Sequence, residues 1–377
     1  MTRGRDAIVV GGGPAGLAAA IALARAGLAV TLLERRRPPI DKACGEGVMP
    51  AGLAALAALG VDVSDLGAPF SGIRYTCEGH LAEADFPAGR SGRGIRRLEL
   101  HARLHATAAA AGVELRWGEA AGGLAPHGVL TDRGELTARW VIGADGLHSH
   151  LRRDAGLAGA APRGAPRFGV RRHYRGIDAG GRVEVHFGRD AEAYLTPLGD
   201  GELGVALLWQ GPARGFDDLL ARRFPPELAR RLAAGEASSR DRGAGPFRQC
   251  PRGVTRGSLA LIGDAAGYFD ALTGEGLSIA FREALVLAPA LVAGDLGAYA
   301  RGAARLRRTP ERLTRLALVA ARRPVLARRL VAALGHRPAR FSRLLGVLGC
   351  GAPVGRREAG DLAGLALGML TAAGGRR

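Results

Sequence analysis

At 377 residues the chain is long enough to bury a sizeable core and to divide into two domains or subdomains. Its formal charge of +18 is almost wholly arginine, Lys42 being the single lysine, and with 5% aromatic residues it lacks the basic–aromatic interleaving of a nucleic-acid surface, so no nucleic-acid partner is expected. Cys44, Cys77, Cys250 and Cys350 are scattered without a CxxC or metal spacing, no signal-like run precedes the first strand, and the apolar runs are too broken to span a bilayer; the expectation is a soluble, cytoplasmic, metal-free protein.

The first stretch organises the rest. A β-branched run, Ala7-Ile8-Val9-Val10, feeds a glycine turn that opens an alanine-rich segment at helical period. In Gly11-x-Gly13-x-x-Gly16 the first glycine makes the tight turn and the second lets a pyrophosphate approach the backbone. The third lets helix and strand pack closely. Pro14 and Ala15 begin the helix, whose positive end faces the phosphates. Beyond Gly27, Ala29–Leu33 reads as a second strand ending in Glu34, next to Arg35. The Glu34 carboxylate stands where such a unit holds the ribose hydroxyls.

Residues 35–50 read as an irregular loop, with two prolines at its start and Gly45 and Gly47 bracketing Glu46. Cys44 and Glu46 are its candidate catalytic groups, Cys44 and Gly45 also lie at the cofactor, and Lys42 is read as an ordinary loop residue. A short helix over Ala51–Leu59 follows, then alternating strands at Ile73–Cys77 and Leu81–Phe86. A helix is expected from about His101 to Ala111, with Arg97 ahead of it to pair a phosphate. Strands at Val113–Trp117 and Val129–Thr131 precede a buried strand from Trp140 that ends in an Asp145-Gly146 turn. Residues 167–209 form an antiparallel block in which His173 and His186 read as structural; a helical excursion at about 216–236 follows. An apolar strand from Leu259 then ends at Gly263-Asp264, and Gly274-x-Gly276 opens a helix with Leu277. The carboxylate suits a sugar hydroxyl and the free amides suit an electron-rich ring edge.

These three stations, in this order over roughly residues 6–300, resemble the FAD-binding pattern of the para-hydroxybenzoate hydroxylase-like flavoprotein superfamily. The resemblance implies an α/β fold: a Rossmann-type (GR2-like) FAD-binding domain with an inserted antiparallel β-sheet substrate domain and a helical carboxy-terminal segment. It places the ADP at Gly11, Gly13, Gly16 and Glu34. Gly143-Ala144-Asp145-Gly146 with Ser149 and Arg152 is similar to the family's second motif, and Gly263-Asp264 with Gly274 and Gly276 to its third, where the Asp holds the ribityl chain. Arg97 matches an arginine near the FAD phosphates, although His101 stands where that pattern has an Asp. Cys44-Gly45-Glu46-Gly47 is similar to a segment of geranylgeranyl-reductase-like members.

The implied activity is an FAD-dependent oxidoreductase with NADPH or NADH as transient electron donor, since no second dinucleotide fingerprint follows. The leading expectation is a monooxygenase working through a flavin C4a-hydroperoxide on a hydrophobic aromatic, quinone-like or polyketide-derived molecule. The alternatives are a geranylgeranyl-reductase-like enzyme and a non-catalytic flavin-binding partner protein. The expected division is FAD-binding segments 1–72, 91–165 and 251–300, substrate-domain segments 73–90 and 166–250, and a basic helical segment 301–377. That last segment holds thirteen arginines against Glu311 between residues 301 and 343, divided by Pro324 and Pro338 into short amphipathic helices. It is read either as a solvated basic face or as a peripheral contact with anionic membrane. A last apolar helix is expected over 361–373, with residues 374–377 frayed.

Overall fold

The computed structural model describes residues 5–160, 164–213 and 215–371, for 366–371 the backbone alone; the expected frayed end lies outside these. A six-stranded sheet runs in the order Thr255–Arg256, Leu259–Leu261, Trp140–Gly143, Ala7–Val10, Val30–Glu34, Glu114–Trp117, parallel throughout except for the antiparallel Thr255–Arg256 edge. Its first strand is completely buried, which explains a continuous apolar run in place of alternation. Because that strand is flanked by Trp140–Gly143 on one side and Val30–Glu34 on the other, strand order reverses at its carboxyl end, opening a crevice there.

Helix α1 (Pro14–Arg25) leaves that crevice with Pro14 pre-set for its first turn, and α2 (Pro50–Ala58) starts the same way. Helix α3 spans Arg97–Ala110, starting four residues before the expected His101. No local Ser or Asp caps it; the signal that starts it comes from Glu46, far away in sequence. A five-residue helix, α4 (His150–Asp154), follows the Asp145-Gly146 turn.

The second sheet carries the strands Arg167–Arg175, Glu202–Gln210, Ala191–Gly199, Arg182–Gly188, Gly72–Cys77 and His80–Asp85 side by side. It departs from the expected antiparallel pattern once: Gly72–Cys77 and Arg182–Gly188 pair in parallel. The two segments arrive from distant parts of the chain, so no hairpin constrains their directions. The expected helical excursion is two helices, α5 (Phe216–Arg223) and α6 (Pro226–Ala233), since consecutive prolines at 225 and 226 break it. Their Phe216, Leu219, Leu228 and Leu232 pack on Val170, Leu195 and Val205 of the sheet.

Helix α7 (Gly276–Val292) packs against α1 in the first core, Phe281, Ala284 and Leu287 meeting Leu17 and Ile21. The carboxy-terminal helices are α8 (Leu296–Ala321), α9 (Pro324–Gly335), α10 (Pro338–Gly349) and α11 (Arg356–Thr371). Pro324 and Pro338 do open helices, but α8 is a 26-residue rod, not a short segment, and it runs through Pro310. Leu318, Val331, Leu334 and Phe341 from this layer close over Ile73, Val183 and Val185, so the segment covers one face of the second sheet. No helix among the described residues is long and apolar enough to cross a membrane.

Candidate cofactor and active site

At the crevice the three glycines do different things. Gly11 turns with φ +112°, and a side chain there would meet the Ala144 carbonyl oxygen at 2.3 Å. A Cβ at Gly16 would lie 1.8 Å from the Gly11 carbonyl oxygen, so helix and strand touch backbone to backbone. Gly13 is open: the nearest atom to its virtual Cβ is Nη2 of Arg97 at 3.7 Å. The free first-turn amides of α1 and the Arg97 guanidinium therefore converge on one opening, a cationic corner suited to phosphate. Arg97 is buried, and its Nε has no hydrogen-bond partner among the described residues. At the end of the second strand, Glu34 accepts from the Gly12 amide (2.8 Å) and from the Arg36 amide (3.0 Å), which aims its carboxylate at the same turn. Arg35 is exposed beside it.

His101 stands under this turn. Its Nε2 lies 2.9 Å from the Gly12 carbonyl oxygen, so it donates, and burial pushes the imidazole below its ordinary range, keeping it neutral. A neutral donor holds the turn from beneath where the family pattern carries an acid. Trp117 packs beside it, 5.9 Å between ring centroids.

Asp145 ties the second motif to its own helix: Oδ2 accepts from the amides of His150 (2.8 Å) and Leu151 (3.2 Å). Its Oδ1 is buried without a hydrogen-bond partner among the described residues. Gly146 takes φ +84°, and Ser149 caps α4 by accepting the Arg152 amide. The buried Arg152 donates to Ala265 O (2.9 Å), Leu147 O (2.8 Å) and Gln249 Oε1 (2.9 Å), joining the second motif to the third. In that third motif a Cβ on Gly263 would meet the Ala15 methyl at 2.6 Å. The Asp264 carboxylate receives no hydrogen bond from the described residues. Burial raises its pKa, opposed by Arg307, Lys42, Arg97 and Arg152. An acceptor left unpaired in a crevice fits a polyol hydroxyl. At Gly276 and Leu277 the start of α7 has no side-chain cap.

Two contributors escaped the sequence. Lys42, read as an ordinary loop residue, extends into the crevice: its ammonium is 3.7 Å from the virtual Cβ of Gly146, and burial, then Arg97, push its pKa down. Arg307, counted with the basic face, instead donates to Glu283 (2.5 Å), Gly267 O (2.6 Å) and Gly263 O (2.8 Å), pinning the third motif from α8. Its neighbours are acid and carbonyl groups more than 20 residues away, so no local pattern marked it.

The 42–49 loop separates the two sequence candidates for catalysis. Glu46 sits at φ +59° with its carboxyl buried: Oε1 accepts the Arg97 amide (2.8 Å) and Oε2 lies 2.5 Å from Nε2 of His173. Both oxygens of Glu46, a candidate catalytic group of the sequence, are thus engaged in holding the loop. Cys44 stays partly exposed; its Sγ accepts the Glu46 amide at 3.3 Å. Burial raises the thiol's pKa, while Arg97 and Arg171 nearby favour its thiolate. Across the loop, Glu275 is buried with neither oxygen hydrogen-bonded among the described residues, and burial pushes its pKa up to about 8. It lines a pocket with Asp264, Tyr268, Phe269, Pro310 and Thr314.

Comparison with known proteins finds a family model and several relatives. A family model described as an FAD binding domain matches residues 5–171. The menaquinone reductase of Mycobacterium tuberculosis is 30% identical over 334 residues, covering 77% of each chain. The 6-methylpretetramide 4-monooxygenase of Streptomyces rimosus is 27% identical, covering 87% of this chain and 86% of its own. A flavoprotein/dehydrogenase structure from Cytophaga hutchinsonii superposes with a TM-score of 0.79 at 18% identity, over 91% of this chain and 92% of that one.

Proposed function

Because the chain belongs to the FAD-dependent oxidoreductases of the para-hydroxybenzoate hydroxylase-like superfamily, we propose that it is a reductase saturating a carbon–carbon double bond of a hydrophobic isoprenoid- or quinone-type substrate. Gly13, Arg97 and Lys42 would hold the pyrophosphate of FAD, Glu34 the ribose and Asp264 the ribityl chain, with the start of α7 toward the ring. Bound there, the flavin supplies a hydride drawn from NADH or NADPH.

The observation that carries the reading is Cys44: a protonated thiol on a loop clipped rigidly by Glu46, between the cofactor crevice and the substrate sheet. For each hydride accepted by one alkene carbon, the neighbouring carbon needs one proton, and the Cys44 S–H bond provides it. Arg97 and Arg171 then stabilise the thiolate until solvent returns the proton. The carboxy-terminal wall and the aromatic side chains Tyr75, Phe187 and Phe341 keep water from the substrate half.

The test is anaerobic turnover of the FAD-loaded protein with NADH or NADPH and a polyprenyl quinone. A product that gains two hydrogens, and its loss in Cys44→Ala with flavin reduction retained, supports the reading. A product formed only with oxygen and gaining one oxygen atom overturns it in favour of a monooxygenase, the reading favoured by the longer coverage of the Streptomyces rimosus relative.

A further inference from the structure

The long helix α8 has two faces of opposite character. Inward, Pro310 and Thr314 line the pocket beside Tyr268 and Glu275, and Leu318 enters the core of the substrate half. Outward, at the spacing of successive turns, stand Arg305, Arg308 and Arg312, followed by Leu316, Val319 and Arg322, all exposed. Leu316 is 61% exposed, Val319 55%, and Val325 at the start of α9 50%. These three lie within ten residues of one another, whereas Leu81, Leu130, Val292 and Val354, the remaining exposed large aliphatics among the described residues, are far apart in the chain.

The charge around this apolar spot is not internally balanced. Arg305, Arg308, Arg312, Arg322 and Arg323 have no carboxylate within ion-pair distance among the described residues. Arg307, Arg340 and Arg343, by contrast, are committed to Glu283 and Asp361. The sequence run of thirteen arginines therefore includes structural ones, exposed ones paired as Arg301, Arg315 and Arg328 are, and a surface set that brackets exposed aliphatics.

We infer that the outer face of α8 and the start of α9 is a docking surface for an anionic lipid bilayer, with Leu316, Val319 and Val325 entering the interface and the bracketing arginines meeting the headgroups. Exposed aliphatics ringed by long cationic side chains suit a headgroup–acyl boundary, where the guanidinium stems reach up to phosphate while the aliphatics sink. A nucleic acid would have no use for the aliphatic centre and would ask for stacking aromatics, absent from this face. The same helix walls the pocket, so a substrate dissolved in the bilayer would need to pass only one layer of protein. The inference does not depend on the reaction, because membrane binding is read without turnover.

The experiment is vesicle flotation of the FAD-loaded protein at physiological salt. Vesicles containing a third phosphatidylglycerol should carry it up, and pure phosphatidylcholine vesicles should not. Each arginine near an anionic surface multiplies partitioning by about five, so Arg308→Gln/Arg312→Gln/Arg323→Gln should weaken binding by roughly a hundredfold. Leu316→Gln/Val319→Gln should weaken it severalfold with flavin content unchanged, and Arg133→Gln, in the turn between the strands Gly128–Thr131 and Gly134–Thr137, should leave it unaltered. Absence of flotation with anionic vesicles overturns the inference. So does flotation undiminished in the aliphatic pair, or binding to polyanions such as RNA in preference to vesicles.

Discussion

The Glu46 carboxylate accepts the backbone amide of Arg97 at 2.8 Å across 51 residues of sequence, while its other oxygen meets His173 at 2.5 Å. One buried side chain thus starts the helix that presents Arg97 to the phosphates and fastens the cofactor loop to the substrate sheet. The coupling is physical: moving the sheet moves the helix start. It also explains why Glu46 tolerates a left-handed backbone, φ +59°, that a non-glycine residue seldom adopts.

Glu46→Ala removes a helix cap and leaves the buried Nε2 of His173 without its partner, while Nδ1 keeps Ser239, so it should cost about 2–4 kcal/mol of stability. Urea unfolding checks it, and a double-mutant cycle with His173→Ala should show a coupling well above the noise of independent sites. FAD affinity should fall with it, since Arg97 loses its anchor. A Glu46→Ala protein as stable as the parent would remove the clip from the account.

The glycine turn separates fold from ligand. Gly16→Ala would force a methyl to within 1.8 Å of the Gly11 carbonyl oxygen and should destabilise the protein even without FAD. Gly13→Ala meets nothing closer than 3.7 Å and should leave thermal unfolding of the apoprotein nearly unchanged. It should nevertheless weaken FAD binding, because the methyl occupies the approach to the backbone. Fluorescence titration with FAD beside a melting curve distinguishes the two variants.

Glu275 should give the apoprotein a stability that declines with pH. Its folded pKa is raised to about 8, against an ordinary carboxyl value of 4.5. Below the ordinary value both states are protonated and the contribution is fully present. Between the two values the unfolded chain releases the proton and the folded one keeps it, so stability falls by up to about 1.4 kcal/mol per pH unit. Above about 8 the loss is complete. Glu275→Gln should flatten this slope and be the more stable protein at pH 8 in denaturant titrations.

Arginines of the same helix should behave oppositely. Arg307→Ala strands the buried Glu283 and frees the Gly263 and Gly267 carbonyls, with an expected loss of about 3–5 kcal/mol. Arg312→Ala, exposed and unpaired, should stay within about 0.5 kcal/mol of the parent. Comparing their melting temperatures checks whether the third motif depends on α8.

Much of the cofactor half was legible in the sequence because its determinants are local. A buried strand, a turn requiring glycine and an alanine-rich helix lie within twenty residues, and the backbone conformations they need restrict which residues can stand there. Asp264 and Gly276 were legible for the same reason, as a strand end and a helix start. Contacts between segments decided the rest. Helix α3 begins at Arg97 because a distant carboxylate caps it; Lys42 enters the crevice because the loop folds over Gly146; Arg307 is structural because Glu283 faces it from α7. Sequence determines which groups a chain can offer at short range. Only tertiary packing decides which of them are consumed by one another and which remain free, because burial makes every polar group find a partner or stand ready for a ligand.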